Sequence, residues 1–301
     1  PAKGAPLCTR GHSHPAARRI SRDRAIEWID IQKDRQVFAI SLADTPQSYL
    51  CTCDRCLALD VIPSSRTDGV LDWVNFVAKA IQAKYPDKML LTGAYHDVAT
   101  ARPPIHARPN ANVVVLYAPW FWESRATSLA SLASSLNITA MKEFMGWSLV
   151  APGQMGLYDY PSEYVPAGAR QIKFLAKNHG RAFYGNGSNR VGSRYHWVSV
   201  QLLWDPYLDT EKLQEEFLQA YYGPAAGSMR SYLRLYQDTV DRYAIHTRTP
   251  LVDPAFFPEA GKLLAEAEEA ARRAEPATRA RIVFGLVSHW KNVLRYAHPD
   301  L

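Results

Sequence analysis

This sequence predicts an α/β fold of the (β/α)8 TIM-barrel type, entered after its first strands and followed by an all-helical C-terminal region. Three observations carry the prediction. Short apolar runs alternate with helix-length segments up to about residue 190, the pattern of parallel strands joined by crossover helices. The runs are continuously apolar, as in Asn112-Val113-Val114-Val115-Leu116-Tyr117, which marks strands covered on both faces. From Tyr195 onward only helical segments follow.

The elements can be justified in order. A short apolar piece ends at Cys8, and Ile20 to Gln32 reads as a helix with Ser21 as its N-cap. Val37-Phe38-Ala39-Ile40-Ser41-Leu42 is a strand that runs out to Asp44. Val70, Val74, Val77, Ala78 and Ile81 recur at helical spacing, and Tyr85-Pro86 stops that helix. Strands follow at Met89–Tyr95 and Asn112–Tyr117, then a helix-like segment from Ser128 to Phe144. Met155–Tyr160 is a strand, Val165 to Asn178 a helix closed by Gly180, and Ala182-Phe183-Tyr184 a strand. The later helices are Tyr195–Trp204, Thr210–Tyr222, Ala225–His246, Pro254–Ala274 and Thr278–Ala297, parted by Pro206, Gly223-Pro224 and Pro250. Six candidate strands lie near Leu7, Ile40, Leu91, Val115, Leu157 and Phe183. A closed barrel needs eight, so two are expected upstream of Pro1. Residues 1–204 read as the partial barrel and 205–301 as the helical region.

Composition sets bounds. The 301 residues are 47% hydrophobic and 21% charged, and no window has the ~18 unbroken apolar residues of a membrane span. The net charge of +6 is scattered, whereas a nucleic-acid footprint needs a concentrated stripe. The opening Pro-Ala-Lys-Gly-Ala-Pro has neither an initiator Met nor an apolar signal region. It reads as a fragment, so compartment is not legible from it.

Several ordered motifs resemble one family. They are SLADTPQSYLCTCDRC, YPDKMLLTGAYHD, NVVVLYAP, GLYDY and the long YHWVSVQLLWDPYLDTEKLQEEFLQAYYGPAAGSM. Together they resemble the bacterial domain-of-unknown-function 4838 family over roughly Cys8 to Arg230. The resemblance implies a glycoside-hydrolase-like (β/α)8 barrel with a helical region after it, exported to the periplasm or exterior by polysaccharide-degrading bacteria. It supplies no particular sugar. One departure is Gly185-Asn186, where relatives carry an acid. Asparagine can hydrogen-bond a sugar hydroxyl but cannot serve as a carboxylate acid or nucleophile.

Glycoside hydrolysis uses two carboxyl groups flanking the scissile bond, and a barrel draws them from the carboxyl ends of strands. Asp44 is the first candidate, because two upstream strands would make its strand the fourth, where hexosaminidase-like barrels place their acid. Its other reading is a turn cap. Asp159, between Tyr158 and Tyr160, is the second, with a buried amide-binding Asp as its alternative. Asp97 and Glu143 are weaker, and Glu143 reads as a solvated charge on a helix. Tyr95, His96, Trp120, Tyr158, Tyr160 and Asn186 are expected to shape a sugar site, with Trp122 and Asn189 beside them, since sugar C–H faces pack on aromatic rings. Trp147, Trp197 and Trp204 are expected in the core.

Cys8, Cys51, Cys53 and Cys56 supply four sulfurs, either a structural zinc site or disulfides, which spacing cannot separate. A catalytic metal is disfavoured, because four thiolates leave no open position. A redox CxxC is disfavoured too, because no helix is evident directly after it. The sequence thus predicts an enzyme cleaving a glycosidic bond. Its alternatives are a non-catalytic glycan-binding barrel and a zinc-stabilised interaction module.

Overall fold

In the computed structural model, β1 (Val37–Ala39), β2 (Met89–Ala94), β3 (Val113–Tyr117), β4 (Met155–Asp159) and β5 (Ala182–Gly185) form one sheet. The structure describes residues 11–42, 50–60, 62, 65–95, 100–119, 138–159, 165–185, 193–243 and 255–297. Every pairing is parallel, and the strand order follows the chain, β1-β2-β3-β4-β5. Such an order has no reversal point, so successive right-handed crossovers lay their helices on one side of the sheet. The result is a curled, parallel half-barrel of five strands. The sixth expected strand, near Leu7, lies outside the described residues.

Side chains alternate along each strand, so the register sorts the two faces. Phe38 pairs with Leu90 and Leu90 with Val113; Tyr117 pairs with Leu157 and Leu157 with Phe183. This face meets the helices. Trp28 of α1 (Pro15–Ile31) sets its ring edge on Phe38 at 5.2 Å between centroids. Phe144 of α4 (Ile138–Val150) does the same to Tyr117 at 5.9 Å. The opposite face carries Val37, Leu91, Leu116, Gly156, Tyr158, Ala182 and Tyr184, and Val37 and Tyr184 are exposed.

Local chemistry explains the helix limits. The first helix begins before the expected Ile20 because Pro15 occupies its first turn and His14 Nδ1 accepts the Ala16 N–H. A one-turn helix, α2, spans Asp54–Leu57. Helix α3 (Thr67–Lys84) buries Val70, Val74, Val77, Ala78 and Ile81, the stripe legible in the sequence. Its Asp68 is buried, and the carboxylate accepts the backbone N–H groups of Ile105, His106 and Ala107, fixing the loop ahead of β3. Helix α4 runs past Phe144 to Val150, and residues 128–137 of that expected helix lie outside the described set.

Packing divides the chain into two units. The first, Pro1–Trp120 with Thr139–Asp159 and Leu175–Gly185, holds the sheet. The second takes in 121–138, 160–174 and 186–301. Helix α5 (Val165–Lys177) crosses that division. In the second unit α6 (Arg194–Trp204) is capped by Ser193, whose Oγ accepts the His196 N–H. Asp209 caps α7 (Thr210–Tyr222) by accepting from the Glu211 and Lys212 amides. That helix ends at Gly223, with φ 47° and ψ −114°, backbone angles that side-chain-bearing L-residues avoid. Helices α8 (Ala226–Tyr243), α9 (Phe256–Arg272) and α10 (Pro276–Ala297) join it around Phe217, Tyr222, Tyr232, Phe256, Leu264 and Leu286. Trp147 is buried as expected, but Trp197 and Trp204 are not core residues: both are exposed, Trp204 by 85%. Helix α6 buries Tyr195, Val198, Ser199 and Leu202 instead, so both tryptophans fall off its buried stripe.

Two substitutions test this packing by denaturant unfolding. Gly156→Ala sets a methyl 2.6 Å from Leu116 Cδ2 and 2.8 Å from the Ala182 carbonyl, and a loss of about 1–3 kcal/mol is expected. Leu264→Ala empties a fully buried position in the helical core, with an expected loss of about 2–5 kcal/mol.

Candidate functional site

The carboxyl ends of the strands bring together part of the site expected from sequence. Tyr158 pairs with Tyr184 across β4 and β5, and their rings stack at 4.7 Å with planes 24° apart. Tyr184 is 49% exposed, so the pair offers an aromatic surface to solvent. Tyr95, half-buried, follows directly on β2. Its backbone is pinned by Thr100, whose Oγ1 accepts the Tyr95 N–H at 2.9 Å and lies 3.1 Å from the Gly93 carbonyl. At the neighbouring outlet the Ile40 N–H donates to the Leu91 carbonyl at 2.8 Å, carrying the β1–β2 ladder past Ala39. Asp44, His96, Trp120, Trp122, Tyr160, Asn186 and Asn189 lie outside the described residues.

Asp159 closes β4 and is 5% exposed. It sits two residues beyond Leu157, so alternation puts it on the helix-covered side with Met155 and Leu157, while Tyr158 takes the opposite side. Glu143 corrects the sequence reading. It is no solvated charge but is buried on α4, where its Oε2 accepts the Tyr117 hydroxyl at 2.8 Å. Its neighbours Ala140, Phe144 and Trp147 form the buried stripe of that helix. Helical spacing from those three was the signal that could have placed it inside.

A second cluster lies on the segment between β1 and α3. The sulfurs of Cys51, Cys53 and Cys56 all lie within 4.8 Å of one another; Cys51 and Cys56 are buried and Cys53 is exposed. No disulfide joins any two of the three, and Cys8 lies outside the described residues. Cys53 is the N-cap residue of α2, so the one helical turn starts within the Cys53–Cys56 motif rather than after it. The Cys56 amide, with the adjoining thiols of Cys51 and Cys56, holds the Cys53 pKa down to about 7. Burial pushes the Cys56 thiol up. Three soft donors this close, one already inclined to ionise, fit a metal ion that favours thiolate ligands.

The thiols are packed between two other pieces of chain. On one side Ser13 Oγ lies 3.0 Å from Cys56 Sγ, and a Cβ on Gly11 would stand 3.6 Å from Cys51 Sγ. On the other, Arg66 Nη2 donates to the Cys51 carbonyl at 2.6 Å and its Nε pairs with Asp60 at 2.6 Å. Both side chains of that ion pair are buried. Asp60 Oδ1 also accepts the Gly69 N–H in the first turn of α3. His12 is buried nearby, and neither ring nitrogen has a hydrogen-bond partner. Burial first, then the charges of Arg66 and Arg18, lower its pKa to about 4 against the opposing pull of Asp72.

The model of one family, "Domain of unknown function (DUF4838)", matches residues 5–238. No curated protein and no solved structure matches the chain.

His12 gives a pH prediction. In the unfolded chain its pKa is about 6.5, against about 4 when folded. The fold therefore favours the neutral ring. That contribution is complete above the unfolded value and is lost as pH falls through the folded one. Unfolding free energy should drop by about 3 kcal/mol between pH 7 and pH 4 through this group. Denaturant titrations across that range, run beside His12→Gln, should show a shallower drop in the variant.

Proposed function

The chain belongs to the DUF4838 family, and from that premise we propose a glycoside-hydrolase-like protein that binds a glycan and cleaves a glycosidic bond. The observation that carries the reading is the Tyr158–Tyr184 stack, with one half-exposed ring, at the carboxyl ends of adjacent parallel strands. That edge is where (β/α) barrels place their ligands, and a sugar's C–H face packs well on such a ring. Tyr95, His96, Trp120, Tyr160 and Asn186 complete the proposed sugar site. Asp44 and Asp159 are the proposed acid/base pair. Action outside the cytoplasm of a polysaccharide-degrading bacterium belongs to the same proposal.

A second reading, a glycan-binding barrel without catalysis, is favoured by the side of β4 on which Asp159 falls. A carboxyl among Met155 and Leu157 does not face a sugar lying on Tyr158. For the thiols, the proposal is a structural ion of the zinc class, since thiolate donors suit zinc and the sugar site draws on none of them.

A glycan panel tests the reading, with cleavage and binding measured separately on the wild type, Asp44→Asn, Asp159→Asn and Tyr184→Ala. Hydrolysis predicts cleavage slowed roughly a hundredfold or more by each carboxyl variant. Tyr184→Ala should weaken binding by about 1 kcal/mol, or roughly fivefold. Binding without cleavage, unaffected by Asp159→Asn, selects the second reading. If no glycan binds, both fall.

A further inference from the structure

We infer that the ion at Cys51, Cys53 and Cys56 is the tie that seats the first turn of α3, and that its removal unlocks this turn at a distance. The inference rests on the zinc-class reading of the thiols and deepens it. Among the described residues from 50 to 66, the regular structure is the single turn of α2, and the buried apolar ones are Leu50, Cys51 and Cys56. That apolar area is small against the conformational entropy of ordering those described residues.

What the segment does have is a polar chain leading away from the sulfurs. The Cys51 carbonyl takes the Arg66 guanidinium, which also pairs with Asp60, and Asp60 takes the Gly69 amide. Every link is buried or partly buried, and the Arg66–Asp60 pair is almost fully enclosed. A buried ion pair is costly to leave half-made, so its geometry depends on the Cys51 carbonyl staying in place. Three thiolates around one ion would hold it there and supply three of the four positions of a tetrahedral centre. Gly69 leaves little slack at the far end: a Cβ there would lie 2.7 Å from His12 Nε2 and 2.9 Å from Asp60 Oδ1. The sulfur centre and the start of α3 therefore share one rigid path through named atoms.

The test uses the full chain, purified reduced. Zinc content is measured, cobalt is substituted to read thiolate-to-metal absorption, and backbone hydrogen exchange is followed before and after chelation. The inference expects about one ion per chain and a thiolate–cobalt band that Cys53→Ser weakens. Chelation should speed exchange roughly tenfold or more at residues 66–70 as well as at 51–57. Cys53 is exposed, so its serine variant should fold, and chelation of the wild type needs no variant at all. If an ion binds but exchange at 66–70 does not change, the tie is overturned while the zinc-class reading stands. If reduced protein takes up neither zinc nor cobalt, or if native protein holds a disulfide among the three, both are overturned.

Discussion

The register between β2 and β3 is the constraint on which the sheet depends. Five consecutive pairs, Leu90↔Val113 to Ala94↔Tyr117, lock the two strands. Buried backbone amides and carbonyls must find partners, so a parallel ladder is all or nothing. Because side chains alternate, sliding β3 by one residue would invert every side chain. Tyr117 would leave Phe144 and Glu143, and Val114 and Leu116 would be driven into the helices. Helix α4 would then bury the Glu143 carboxylate without the Tyr117 hydroxyl, and losing a hydrogen bond to a buried polar group costs stability. Since Tyr117 also pairs with Leu157, the same slip would break the β3–β4 register as well.

Strand order adds a division of labour. With every crossover turning the same way, one face of the sheet is taken up by Phe38, Leu90, Tyr117 and Leu157 against helices. The other face is left to Tyr158 and Tyr184. The proposed sugar surface thus lies on the face opposite Trp28 and Phe144. The thiols lie on the β1–α3 connection, and polar or ionic groups bear on that segment: Ser13, Arg66 and Asp60.

Much of the fold was legible in the sequence. The strands at Leu91, Val115, Leu157 and Phe183 are short, largely apolar runs between turn residues, and they appear where expected. Helix α7 matches residue for residue, because Asp209 and Gly223 are strong stop signs at its two ends. Helix α1 was placed too late because His14 is an unusual cap and Pro15 reads equally as a breaker. Side-chain direction was the harder matter. Acidic letters such as Glu143 look solvated until the stripe beside them is traced. The side of the sheet taken by a strand-tip acid such as Asp159 becomes legible only once the register of its strand is known. Trp197 and Trp204 are expected inward, whereas helix α6 turns Tyr195, Val198, Ser199 and Leu202 inward instead. The closeness of the three sulfurs was legible from CTCDRC, but their coupling to Arg66 and Asp60 was not, since nothing local in sequence ties Cys51 to the start of a helix.

The end of α7 has a stereochemical consequence. With φ 47° and ψ −114°, residue 223 occupies a region whose mirror image, about −47° and 114°, is close to the extended backbone open to L-amino acids. A chain assembled by ligation with D-alanine at this position should accept the extra methyl at its native geometry. Its L-enantiomer would have to bend the approach to Pro224. Handedness at a single α-carbon, rather than side-chain volume, would decide whether this corner of the helical core closes.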